Sequence, residues 1–151
     1  SIYTFWNRNA PPPQMVIFDA PGRSFSSVSR SVTNTPLQAL VTMNDTQFLE
    51  AARLLAARVL LDEKLADDRA KLANIIHRCT GRPLTPENEK LLLAGLNAWR
   101  QGYADRPDQA KQLLASAGQS PQHPKLKASE QAAWMMIATT VLNLDASLVV
   151  D

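Results

Sequence analysis

Polar side chains that could bind an anion or a sugar are concentrated between residues 19 and 45. One aspartate and two arginines precede a proline-marked helix start, and side-chain amides with a second aspartate follow it. An Asp–Arg pair beside amides at a helix N-terminus is suited to binding a carboxylate or a sugar. The candidate binding residues are Asp19, Arg23, Arg30, Asn34, Gln38, Asn44 and Asp45.

A structural interpretation competes with this binding hypothesis, and we favour it. Arg23 and Arg30 would hold the loop by bonding backbone carbonyls and Asp19, while Asn44 and Asp45 would only cap helices. Substituting Arg30 with alanine separates the two interpretations. A folded variant that no longer binds a measured ligand supports a binding site, whereas a variant that only loses stability argues against the binding hypothesis.

Other kinds of chemistry find little support in the residue pattern. His77 and Cys79 are two apart on a predicted helix and point to nearly opposite sides, so they cannot share a metal ion. His123, in a polar loop, is no better a ligand. The single cysteine excludes a CxxCH haem attachment and a zinc site built on several thiolates. We therefore predict no metal and no cofactor in this chain, and assign no catalytic residue.

Length and charge limit the possible partners. A chain of 151 residues fits one domain, and a net charge of +2 with mixed signs does not indicate nucleic acid or an anionic membrane. The longest apolar run, near Ala132 to Val141, is interrupted by two threonines and is too short to span a bilayer. We expect no nucleic-acid partner and no membrane span.

The segment from Thr35 to Asp45 predicts a sharp transition from an irregular arm to helices. Thr35 followed by Pro36 fits an N-cap and a first helical position, and Gln38 completes a capping-box pattern. Asp45 can then cap the next helix. The predicted apolar face of the first helix consists of Leu37, Leu40 and Val41, with Met43 at its edge.

The whole chain predicts an all-α fold: an irregular bundle of five to six helices (35–151) behind a long, mostly non-regular N-terminal arm (1–34). Met15–Phe18 is the only strand-like segment. The last long helix, about Ser129 to Leu142, is apolar nearly all round, which places it at the centre of the bundle. Trp99 and Trp134 fall on apolar helix faces and are expected in the core.

Eight segments carry a resemblance to a known family: Ser1–Trp6, Ala10–Pro13, Phe18–Pro21, Thr33–Leu40, Asn44-Asp45, Phe48, Gly81–Glu87 and Leu142–Asp145. The chain is similar to the C-terminal domain of unknown function in large planctomycete-type proteins, which often also carry a cytochrome-c-like haem domain. The similarity covers essentially the whole chain, as the last part of that larger domain. One departure is that Ser26, Ser29 and Arg30 stand where members often show a cysteine before an Arg-Arg pair.

The resemblance implies an exported protein, periplasmic or otherwise outside the cytoplasm, with haem on a separate domain and no established activity. The leading hypothesis is a non-catalytic structural or docking module whose partners are other domains of the parent protein. The alternative is a glycan-binding, anion-binding or enzyme-like site in the region from Asp19 to Asp45, completed by residues elsewhere in the parent.

Overall fold

A computed structural model describes residues 12–20 and 35–148, and these residues form eight helices and no strand. Six of the eight have nine or more residues, which confirms an all-α fold with the predicted number of long helices. The helices are α1 Pro13–Ile17, α2 Pro36–Asn44, α3 Thr46–Leu61, α4 Asp68–Thr80, α5 Pro86–Asp105, α6 Pro107–Ser116, α7 Ala128–Leu142 and α8 Asp145–Leu148.

Helix α7 lies at the centre of the bundle, as its all-round apolar sequence predicts. It packs against α3, α5 and α6 and also contacts α2, α4 and α8. Trp134 and Met135 are fully buried within it, together with most of the residues around them. A helix covered on several sides needs apolar residues on all of them, which explains why α7 has no polar face.

The predicted signals are present at the starts of α2 and α5 and at the end of α4. Thr35 accepts a hydrogen bond from the backbone N–H of Gln38, and the Gln38 side chain accepts one from the backbone of Thr35, which completes the capping box. Thr85 caps α5 in the same way through Asn88 N–H. Gly81 ends α4 with φ of 70°, a left-handed conformation that glycine adopts without steric cost.

The strand-like interpretation of Met15–Phe18 is wrong, because residues Pro13–Ile17 form helix α1. The backbone N–H groups of Met15 and Val16 bond to the Pro12 carbonyl, at 3.0 and 3.3 Å. Proline at the start of a helix loses no hydrogen bond and has a suitable φ, whereas the β preference of Val and Ile depends on a neighbouring strand. The local proline signal therefore decides the conformation.

The predicted orientation of α2 is also wrong. Of the predicted apolar face, Leu37, Leu40 and Met43 are 51%, 56% and 54% exposed and Val41 is half-buried, whereas Gln38 and Thr42 are buried at 2% each. The helix turns its polar side towards the bundle and its apolar side outwards. Hydrogen-bonding partners elsewhere in the chain account for this inversion, as the contacts of Gln38 and Thr42 show below.

The two predicted core tryptophans have different environments. Trp134 is fully buried, as expected, but Trp99 on α5 is 39% exposed. The Trp99 ring stacks on Tyr103, with centroids 5.9 Å apart and ring planes at 20°. Leu92 and Leu96 on the same helix are buried. The apolar stripe of α5 thus continues past the end of the core.

Candidate functional site

The candidate region lies at the corner where α1, α2 and α3 meet, and Gln38 is its most buried member. Its side-chain Nε2–H donates to the Ile17 carbonyl at 2.8 Å, which ties α2 to the end of α1. Its Oε1 accepts from the Thr35 backbone N–H at 3.3 Å. Both ends of this amide are therefore occupied by intramolecular bonds.

Thr42 continues the polar side of α2 one turn further and joins it to the end of α7. Its hydroxyl lies against Asn143 Oδ1, and also 2.9 Å from the Ala39 carbonyl. A hydroxyl has one hydrogen to donate, so these acceptors share it. Asn143 in turn donates Nδ2–H to the Thr139 carbonyl at 2.8 Å. The side chains of α2 thus link chain segments that are 101 residues apart.

The other described candidate residues lie at helix ends. Asn44 donates Nδ2–H to the Leu40 carbonyl at 2.8 Å, and the Asp45 carboxylate accepts from the Gln47 N–H at 2.8 Å. Asp19 has φ of 55°, in the left-handed region that aspartate tolerates better than most residues. Arg23, Arg30 and Asn34 lie outside the described residues. Binding by the full set of seven residues stays a prediction.

The segment after α1 is anchored by an aromatic contact as well as by Gln38. The Phe18 and Phe48 rings have centroids 5.9 Å apart and planes tilted by 35°. Such pairs contribute about 0.5–1.5 kcal/mol beyond the area they bury. The corner is therefore held by one buried amide and one aromatic pair, and both contacts connect α1 to the helices that follow.

A buried arginine, which sequence patterns did not single out, joins α3 to the loop after α6. Arg53 is 1% exposed, and its Nε–H and Nη2–H donate to the carbonyls of Ala117 and Ser120, at 3.0 and 2.7 Å. The Glu50 carboxylate accepts bonds from the Ser120 hydroxyl and backbone N–H, and these bonds lower the pKa of Glu50. We call this group, Glu50, Arg53 and the loop 117–120, the α3 clip.

A second charged group surrounds Arg100 on α5. Its guanidinium bonds Asp68 at 2.5 and 3.0 Å and Glu130 at 2.5 and 3.1 Å. The bonds from Arg100 hold the pKa of Asp68 below its ordinary value. Glu130 also accepts from Trp134 Nε1–H at 2.8 Å, and Arg100 lies 5.8 Å from the Trp134 ring centroid. These side chains satisfy one another's hydrogen bonds and connect α4, α5 and α7.

The outward side of α2 presents three apolar side chains, which we call the α2 strip: Leu37, Leu40 and Met43. Side chains three apart on a helix are offset by about 60° around its axis, so these three side chains cover about a third of the circumference. The helix contains no charged residue. Its exposed side is therefore an uncharged apolar surface beside the candidate region.

Three further observations on the described residues concern membranes, metal ions and the single cysteine. No helix among them is both long enough and apolar enough to cross a membrane. In residues 12–20 and 35–148, no three His, Cys, Asp or Glu side chains lie close enough together to hold a metal ion. Burial raises the pKa of the Cys79 thiol, which keeps it protonated and weakly nucleophilic at neutral pH.

The fold and these contacts define an all-α protein in which most buried polar groups connect helices. The sequence profile of one protein family, PSD1, described as a protein of unknown function (DUF1553), matches residues 1–96. That match covers more than half of the 151 residues, so the chain belongs to this family. The expected kinship with a domain of unknown function is thereby confirmed. No curated protein and no solved structure matches the chain.

Proposed function

We propose that this chain is a non-catalytic structural or docking module of a larger, extracytoplasmic multidomain protein that carries haem on a separate domain. The observation that supports this proposal is the α2 strip. Its partner is another part of the parent protein, and this chain is one part of a larger domain. The export and the haem domain are carried over from the family resemblance described above.

The α2 strip has the properties of a docking surface. Complete burial of a leucine or methionine side chain contributes about 1.5–3 kcal/mol. Leu37, Leu40 and Met43 are each about half exposed, so covering all three would contribute about 3 kcal/mol before the costs of association. A partner would not have to compensate any charge on α2, because the helix has none. An apolar partner face of similar size fits this surface.

The polar groups next to the strip support a structural role for the corner. Gln38 bonds two backbone groups, Thr42 bonds the end of α7, and Asp45 caps α3. Each of these side chains positions a helix, and their combined effect is to hold α2 with its apolar side outwards. The corner therefore presents the strip in a fixed orientation.

Thiol labelling can test whether the strip is covered in the parent protein. A single cysteine is introduced as Leu40→Cys in a Cys79→Ser background, and its alkylation rate is measured in this chain alone and in the full-length parent. Leu91, which is 69% exposed on α5, provides the matched control as Leu91→Cys. We expect Leu40→Cys to react at least about tenfold more slowly in the parent, and Leu91→Cys to react at the same rate in both.

Equal alkylation of Leu40→Cys in both proteins would show that the strip remains uncovered and would remove the support for docking. Slower reaction at both cysteines would indicate general shielding by the larger protein, and it would equally fail to support a docking surface on α2. The experiment requires folded variants, which far-UV circular dichroism checks. Leu40 and Leu91 are largely exposed, so substituting them leaves the core intact. The Cys79→Ser background needs the same check by circular dichroism, because Cys79 packs against the core.

A further inference from the structure

A charged cleft lies where the last turns of α3 and α4 come together, away from the corner and the α2 strip. Two pairs of residues, each four apart in sequence, line it: Arg58 on α3 with Asp62 just after the end of α3, and Asn74 with Arg78 on α4. Asn74 and Arg78 are four apart on α4 and share one helix face, and Arg58 and Asp62 line the same space. Buried Val59 forms part of the lining, and the cleft has a volume of about 230 Å³.

The polar groups of the cleft are positioned but incompletely used. Arg78 donates Nε–H to Asn74 Oδ1 at 2.6 Å, which orients the guanidinium plane and leaves its Nη groups for another acceptor. Asp62 is held by one oxygen, which accepts from the Lys64 N–H at 3.0 Å. Within the described part of the chain, no hydrogen bond or ion pair engages the Arg58 guanidinium.

The composition of the lining selects the chemical class of ligand. Guanidinium groups bind carboxylates and phosphates through paired N–H donors. Two arginines and one aspartate leave a net formal charge of +1, which matches a single carboxylate better than a doubly charged phosphate. The free oxygen of Asp62 can accept a bond from a ligand hydroxyl. The cleft is smaller than the roughly 300–1,000 Å³ of pockets for drug-sized ligands, so the ligand is small.

We propose that the cleft formed by Arg58, Asp62, Asn74 and Arg78 binds a small hydroxy acid with one carboxylate. Arg58 and Arg78 bind the carboxylate, and Asp62 accepts a hydroxyl donor of the same molecule. This site is separate from the docking surface, because none of its residues belongs to α2. Its test and the labelling test can therefore fail independently.

Nuclear magnetic resonance titration of the ¹⁵N-labelled chain provides the measurement. The probes are D-glucuronate, its uncharged analogue D-glucose, and inorganic phosphate, all at the same ionic strength because salt screens exposed charges. We expect D-glucuronate to shift amide signals near residues 58–62 and 74–78, with a dissociation constant in the millimolar range. D-Glucose should leave these signals unchanged, and phosphate should bind more weakly than D-glucuronate.

Variants separate specific binding from the general effect of positive charge. Arg58→Gln and Arg78→Gln should each weaken D-glucuronate binding by about five- to tenfold. Lys111→Gln removes one positive charge from α6, where the side chain is 69% exposed, and should leave the dissociation constant unchanged. All three changes affect surface side chains, and the dispersion of amide signals shows whether each variant is folded.

Several outcomes would overturn the proposal. One is the absence of shifts around the cleft with D-glucuronate. Another is binding of D-glucose or phosphate as tight as that of D-glucuronate, because the selectivity rests on one carboxylate and one hydroxyl. A third is an equal effect of Lys111→Gln and of the two arginine variants, which would reduce the interaction to non-specific attraction between charges.

Discussion

Replacing Arg53 with methionine tests whether the α3 clip holds the bundle together. The guanidinium is 1% exposed and donates to two backbone carbonyls, of Ala117 and Ser120. Methionine retains much of the apolar stem of arginine but donates no hydrogen bond. The substitution therefore removes the bonds and the buried charge while it largely preserves packing. Glu50, 3.8 Å away, loses its positive neighbour at the same time.

The expected loss in the free energy of unfolding is the difference between two opposing contributions. A hydrogen bond to a charged group contributes about 1.5–3 kcal/mol, so two such bonds contribute about 3–6 kcal/mol. Removing the buried guanidinium recovers part of its desolvation cost, which offsets some of this loss. We expect the Arg53→Met variant to be less stable by about 3 kcal/mol. Against a typical total stability of about 5–15 kcal/mol, this is a large fraction.

Urea unfolding followed by circular dichroism measures this difference. The control is Arg69→Met, the same substitution at a side chain that is 72% exposed and paired with Glu89 at 3.1 Å. An exposed ion pair contributes less than about 1 kcal/mol, so the control should unfold close to the wild-type midpoint. Equal losses in Arg53→Met and Arg69→Met, or a loss below about 1 kcal/mol for Arg53→Met, would refute a stabilising clip.

Three further predictions concern backbone geometry, packing and pH. Gly118 has φ of +91°, and an added Cβ would overlap the Glu50 side chain on α3, so Gly118→Ala should destabilise by about 1–3 kcal/mol in urea unfolding. Gly102→Ala, in α5 with open space around its Cβ position, should instead stabilise by about 0.5–1 kcal/mol. Trp134→Ala should lower the free energy of unfolding by about 3–5 kcal/mol, well above the loss for partly exposed Trp99→Ala; equal losses would contradict the different burial. The bonds from Arg100 lower the pKa of Asp68 in the folded state. The ionised Asp68 carboxylate should therefore stabilise the fold fully above its ordinary pKa near 3.8, and this stabilisation should be lost as pH falls through the folded-state pKa. Wild-type stability should therefore fall more steeply below pH 4 than that of Asp68→Asn, and parallel curves would contradict it.

Local sequence signals predicted much of the fold because their partners lie within a few residues. The capping box at Thr35 closes over three residues, and the left-handed Gly81 ends α4 within one turn. The central position of α7 followed from its composition alone, because a helix without a polar side must be covered. Helix α1 was missed because a tetrapeptide of strand-forming residues outweighed the proline before it, although no partner strand exists among the described residues.

The contacts that position the candidate sites are long-range, and a single sequence does not reveal them. Gln38 bonds a carbonyl 21 residues away, and Arg53 bonds carbonyls 64 and 67 residues away. The charged cleft illustrates the same limit. The four-residue spacing of Arg58 with Asp62, and of Asn74 with Arg78, is visible in the sequence. That the two pairs face each other depends on how α3 packs on α4.

The inverted orientation of α2 connects its stability with its proposed role. A helix of nine residues is shorter than the about 12–15 residues at which isolated helices become marginally stable, so α2 depends on its contacts. Its side-chain hydrogen bonds to other helices are made by Gln38 and Thr42, whereas Leu37 and Leu40 point away from the bundle. A reversed helix would bury the leucines but would leave the Ile17 carbonyl without its Gln38 donor. Hydrogen bonding therefore decides the orientation, and the apolar side chains are left available for a partner.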